Sequence, residues 1–163
     1  MAITSNDDFS KMLQGEAEIL CEQTAGLSHA DSLRQPHPGG NCLNWVLGHL
    51  VGNLVEILNV IDGELPADLI DLANYQRNSE PIRGEAEGVH QLQVLVDSYQ
   101  QLTEVIINRL AQMKELEFDE EIEFWQGKKR RGYVAFFYFF LNTYHIGQLE
   151  QLRNLAGKTE KVI

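Results

Sequence analysis

The chain has 163 residues, 44% of them apolar, and 24 acidic against 13 basic side chains give a net charge of −11. That length and apolar fraction suit a single globular domain (1–163) with its own core, and exclude global disorder. The acidic excess works against phosphate backbones, so no nucleic-acid partner is expected, and no stretch approaches the roughly 20 apolar residues of a membrane span.

The first 20 residues lack a basic segment leading into an apolar one, which predicts no secretory signal and a cytoplasmic protein. Apolar residues at helical spacing begin at once. Phe9, Met12, Leu13, Ala17, Leu20 and Cys21 predict a first helix from about Asn6 to Thr24, with Asp7 or Asp8 near its start. Cys21 and Cys42 have no metal-type spacing and read as packed thiols. The stretch SLRQPHPGGN breaks the pattern with two prolines and two glycines. Asn41 is the expected N-cap of a second helix, about Cys42 to Asp62, which Gly63 and Pro66 terminate. A long loop, LIDLANYQRNSEPIRG, follows. A third helix is predicted from about Gly84 to Lys114, carried by Val89, Leu92, Leu95, Val96, Tyr99, Leu102, Ile106 and Leu110. The segment ELEFDEEIEFWQGKKRRG fits no helical period and holds a short extended piece. Its basic island, Lys128 to Arg131, follows closely on four acidic residues and reads as a charge-balanced loop. A fourth helix is expected from about Tyr133 to Ala156, stopped by Gly157. Four long helices imply an all-α four-helix bundle, and links long enough to cross it leave the topology open.

Two histidines stand out. On the second helix His49, Asn53 and Glu56 form a polar row beside the stripe of Leu43, Leu47, Leu50, Leu54, Ile57 and Ile61, and Trp45 extends that row by one turn. On the fourth helix His145 sits within the stripe of Val134, Tyr138, Leu141, Leu149 and Leu152, flanked by Asn142 and Gln148. An imidazole there is either a core side chain satisfied by a carbonyl, a tyrosine or Gln148, or a ligand for a divalent metal. A helical partner for metal binding belongs four residues earlier, and position 141 is leucine, which has no donor atom. His29, His37 and His90 fall at helix ends or outer faces and read as surface residues.

At these residues the chain resembles the DinB/YfiT-like superfamily of metalloenzymes. The matching pieces are GGNCLNWVLGHLVGNLVEIL, YQRNSEPI and NTYHIGQLEQLRNLAGK, spread in order over most of the chain. The resemblance implies an up-down-down-up bundle, often a homodimer, with nickel or zinc on three histidines at one end. His49 and His145 match two of those ligands, and Leu141 stands where the third is expected. Asn53, Glu56 and Asn142 are the candidate extra donors. The better-understood members of the family imply a transferase or isomerase chemistry, in which the metal turns a low-molecular-weight thiol into a thiolate.

Two principal readings follow, both with a small-molecule ligand. One is a metal-dependent thiol transferase with an incomplete histidine triad, its pocket rim drawn from Tyr75, Arg77 and Trp125. The other is a metal-free binding or sensing module, an aromatic-walled cavity near Phe137, Phe140 and Tyr144 with the histidines as polar anchors. A third, weaker reading makes His145 a general base oriented by Gln148.

Overall fold

The computed structural model describes residues 5–125 and 127–162. Four long helices carry the fold: α1 (Asn6–Thr24), α3 (Leu43–Val60), α4 (Leu92–Gln112) and α5 (Arg131–Leu155). A single turn, α2 (His29–Ser32), lies between α1 and α3, and an antiparallel hairpin, β1 (Glu121–Phe124) with β2 (Gly127–Arg130), precedes α5.

Side-chain contacts fix the direction of each helix. Asn44 near the start of α3 donates to the carbonyl of His90, just before α4, and Arg109 near the end of α4 donates to that of Ile61, so α3 and α4 run parallel. Asn6 at the start of α1 reaches the carbonyls of Leu110 and Met113 at the end of α4, so that pair is antiparallel. Glu16 meets Thr143, and Arg153 meets the carbonyls of Glu22, Gln23 and Ala25, which makes α1 and α5 parallel. Arg131 at the start of α5 bonds the Val60 carbonyl at the end of α3, so these two are antiparallel. The topology is up-down-down-up.

The core is the shared interior of the four helices. Leu13 and Leu20 of α1, Leu47 and Leu54 of α3, Leu102 of α4 and Leu149 of α5 are all buried. Burying each such side chain contributes about 1.5–3 kcal/mol. Helix ends follow local chemistry. Ser5 caps α1 in a reciprocal box with Asp8. A left-handed Asp62 (φ 53°) stops α3, letting the Gly63 N–H reach back to the Leu58 carbonyl.

Several boundaries differ from the sequence expectation. Cys42, not Asn41, is the N-cap of α3, and no side chain bonds there. α4 starts at Leu92, two turns later than predicted. The stretch before it turns through Gly88 (φ 77°), and His90 is anchored to the preceding loop instead of to a helix. Met12 is 36% exposed, outside the buried face of α1. α2 lies outside the sequence expectation, being a lone capped turn with no apolar periodicity. Lys128, Lys129 and Arg130 of the basic island lie in β2, whose register sets Glu121 opposite Arg130 and Glu123 opposite Lys128, so the balance of charge is local, while Arg131 begins α5 and pairs with Asp62 and Glu120.

Tyr75 ties the long loop to the bundle. Its ring lies against Gly48, where an added Cβ would collide with it. Its hydroxyl donates to Asn44 Oδ1 (3.1 Å) and accepts from the His90 N–H (2.8 Å). Gly48→Ala is therefore expected to cost about 1–3 kcal/mol, because the ring must leave its place. Urea unfolding measures the loss, and a neutral result would show that Tyr75 has another seat.

A polar cluster lies on the other face of α5. Glu16 is buried, accepting from Thr143 Oγ1 (2.7 Å) and the Tyr99 hydroxyl (3.3 Å). Burial pushes its carboxyl up to about 7, against the opposing pull of those two hydrogen bonds. The folded state then binds more protons than the unfolded state between about pH 4.5 and 7. Stability from this group is present at acidic pH and is lost as pH rises through 7. Glu16→Gln removes the titration. The stability of the wild type relative to Glu16→Gln should fall by about 2.5 kcal/mol from pH 5 to pH 8. A pH-independent difference between the two proteins in urea unfolding would contradict this.

Candidate functional site

The groove between the antiparallel helices α3 and α5 opens into a cavity of about 910 Å³. Helical spacing explains its walls. Trp45, His49, Asn53 and Glu56 follow one another along one side of α3, and Gln148, His145, Leu141 and Tyr138 run the opposite way along α5. The loop at Gln76 and Arg77 covers the end nearest Trp45, and the hairpin presents Trp125. A smaller cavity of about 470 Å³ near Cys21 and His29 contains none of the expected site residues.

The two imidazoles meet edge to face with ring centroids 5.0 Å apart. His49 stacks on the Trp45 indole at 4.9 Å and 14°, and Trp45 is held through its Nε1–H to Ser79 Oγ (2.9 Å). His49 Nδ1 lies 3.0 Å from the Tyr75 carbonyl oxygen. A carbonyl only accepts, so the proton sits on Nδ1 and the neutral ring keeps its lone pair on Nε2. His145 Nδ1 lies 2.9 Å from Gln148 Oε1, and with the amide in this orientation the proton sits on Nδ1 and Nε2 keeps the lone pair. Burial depresses the His49 pKa below the ordinary histidine value. The Tyr75 carbonyl acts in the opposite sense, and the charges of His145 and Arg77 add to the depression. His49 is therefore a neutral hydrogen-bond acceptor near pH 7.

The expected site residues divide into those that meet here and those that do not. His49, His145, Asn53, Glu56, Arg77, Trp125, Phe137 and Gln148 all line the cavity. Asn142 does not: it is fully buried, turned about 60° round α5 from His145 toward the core, with its Nδ2 toward the Tyr99 hydroxyl at 3.5 Å. Three residues of helix leave a turn of about 60° between the two side chains, enough to send a short amide into the core while the imidazole faces the cavity. Tyr144 is 62% exposed and shares an outer stripe of α5 with Tyr133 and Phe140, so neither Tyr144 nor Phe140 walls the cavity. Tyr75 contributes its backbone carbonyl instead of its ring. His29 and His90 are latches more than surface residues. His29 Nδ1 accepts the Leu92 N–H at 3.1 Å, and His90 Nε2 bonds the Asp71 carbonyl at 2.6 Å. Tyr138, Gln151 and the turn at Pro36 and Gly40 line the cavity without having been expected there. The Pro-Gly turn was visible as a break, but nothing in the sequence aimed it at the histidines.

A three-histidine metal centre does not fit these residues. Leu141 presents hydrocarbon to the cavity beside the histidine pair. Among the described residues no group of three or more His, Cys, Asp or Glu is placed to hold a metal ion. Asn53 lines the same wall at 6% exposure, and its Nδ2 has no hydrogen-bond partner. An unpartnered N–H calls for an acceptor, the opposite of what a cation offers.

Comparison with known proteins agrees with this geometry at the level of fold. A solved structure described as the conserved protein of locus from Enterococcus faecalis superposes with a TM-score of 0.67 at 19% identity, covering 95% of this chain and 98% of that one. That likeness shows the shared fold. No curated protein matches the chain. The family model of the DinB superfamily matches residues 16–149, which include the whole of α3 and α4 and both histidines. The chain belongs to the DinB superfamily.

Proposed function

We propose that this DinB superfamily member is a metal-free small-molecule-binding module, whose cavity uses the His49 and His145 Nε2 lone pairs as paired hydrogen-bond acceptors. The observation that carries this reading is Leu141. It lines the cavity beside both imidazoles, at the position where the resemblance implies a third metal ligand. Thiol transfer of the kind the resemblance implies needs a metal to hold a thiolate, and two imidazoles beside a leucine are a poor cage for one. The volume, about 910 Å³, is in the range of small-molecule sites. Trp45, Trp125 and Phe137 supply flat apolar surface, and the imidazoles supply direction.

The metal content of the purified, untagged protein tests this reading. The native protein should contain far less than one nickel or zinc per chain, and Leu141→His should gain a divalent metal. Near-stoichiometric metal in the native protein would overturn the proposal and revive the transferase.

The acceptor role carries a pH dependence. His49 should titrate below 6.5 by NMR of its ring protons, because burial disfavours the imidazolium. Indole, a flat probe with one N–H donor, should lose affinity as pH falls below that value, since a protonated ring has no lone pair to offer. Unchanged indole binding from pH 7.5 to 5 would remove the imidazoles from the recognition.

A further inference from the structure

The cavity has two charged ends of opposite sign. Arg77 lines it at the loop end, close enough to His49 to disfavour that ring's protonation. Among the described residues Arg77 is the one arginine with neither a hydrogen bond nor an ion pair. Arg34, Arg109, Arg130, Arg131 and Arg153 all have ion pairs, and Arg83 bonds Gln35. Glu56 lies at the other end. It follows His49 by seven residues, about 10 Å along the helix, and its charge is felt by the Tyr138 phenol. Glu56 likewise takes part in no ion pair among the described residues. The rings of Tyr138, Trp125 and Phe137 line the cavity with it, Trp125 and Phe137 edge to face at 5.1 Å. A carboxylate among aromatic faces is a seat for an organic cation. Between the ends lie the two acceptor nitrogens and then the apolar Leu141.

From this order of groups we infer that the cavity takes an amino acid with a cationic side chain. Its carboxylate faces Arg77 and its α-ammonium donates to the Nε2 atoms of His49 and His145. Its methylenes cross Leu141, and its terminal cation reaches Glu56 and the surrounding rings. The net charge of −11 favours the approach of a ligand with an extra positive charge. This inference rests on the binding reading above.

Four probes separate the arms. L-lysine has all three groups, norleucine lacks the terminal amine, 6-aminohexanoate lacks the α-amine, and 1,5-diaminopentane lacks the carboxylate. The chain's two tryptophans, Trp45 and Trp125, both line the cavity, so their indole N–H signals in a heteronuclear NMR titration report occupancy. L-lysine should bind about tenfold more tightly than each of the other three, the order of one lost charge-assisted contact. Glu56→Gln should abolish its advantage over norleucine, and Arg77→Gln its advantage over 1,5-diaminopentane. Both side chains are exposed and unpaired, so both variants should keep the wild-type spectrum elsewhere. Norleucine matching L-lysine on the wild type, or L-lysine affinity unchanged in Glu56→Gln, would overturn the inference. If indole shifts the tryptophan signals and none of the four probes does, the inference fails and the binding reading stands. If indole fails as well, both fall.

Discussion

Much of this molecule hangs on the contact between Tyr75 and Gly48. A helix has no room for an aromatic ring on its axis side unless one residue gives up its Cβ, and Gly48 does so. The ring then brings a long, otherwise irregular loop against α3. Its hydroxyl joins Asn44 and His90, which fixes the start of α4 relative to α3. The same placement brings the Tyr75 carbonyl to His49 and so decides which nitrogen of that imidazole carries the proton. Loop path, helix register and the chemistry of the site share one cause.

The sequence made the helices legible because their apolar stripes are long and regular. Leu47, Leu50, Leu54 and Ile57 are as buried as the period of α3 implies. It also made the histidine pair legible, since the period places His49 beside one such stripe and His145 within another. The parts that could not be read depend on rotation and on backbone. Asn142 and Tyr144 neighbour His145 in sequence, yet one turns into the Glu16 cluster and the other to solvent. The Tyr75 carbonyl leaves no trace in residue identity, because every residue has one. The late start of α4 reflects tertiary bonds at His90 that outweigh a helix-compatible local pattern.

Each imidazole is oriented by a partner close to it, Tyr75 or Gln148, without needing a shared ion. In a metal centre, hydrogen bonds of this kind to the ligands aim them at the metal. Here they aim two lone pairs into a cavity with a leucine where another nitrogen would have been. Family membership therefore constrains the scaffold more tightly than it constrains the chemistry, which depends on a few side chains grafted onto it.

The helix ends have a consequence for how the protein opens. An isolated helix frays from its termini, because the last carbonyls lose little by turning to water. In this bundle the terminal carbonyls of α1, α3 and α4 are held by side chains from other helices: Arg153 for α1, Arg109 and Arg131 for α3, and Asn6 for α4. Releasing the last turn of α5 uncovers the end of α1, and releasing the first turn of α1 uncovers the end of α4. α1, α4 and α5 each guard the terminus of a neighbour. Partial opening is thereby made expensive, and the bundle is biased to yield as a single cooperative unit instead of peeling apart one helix at a time.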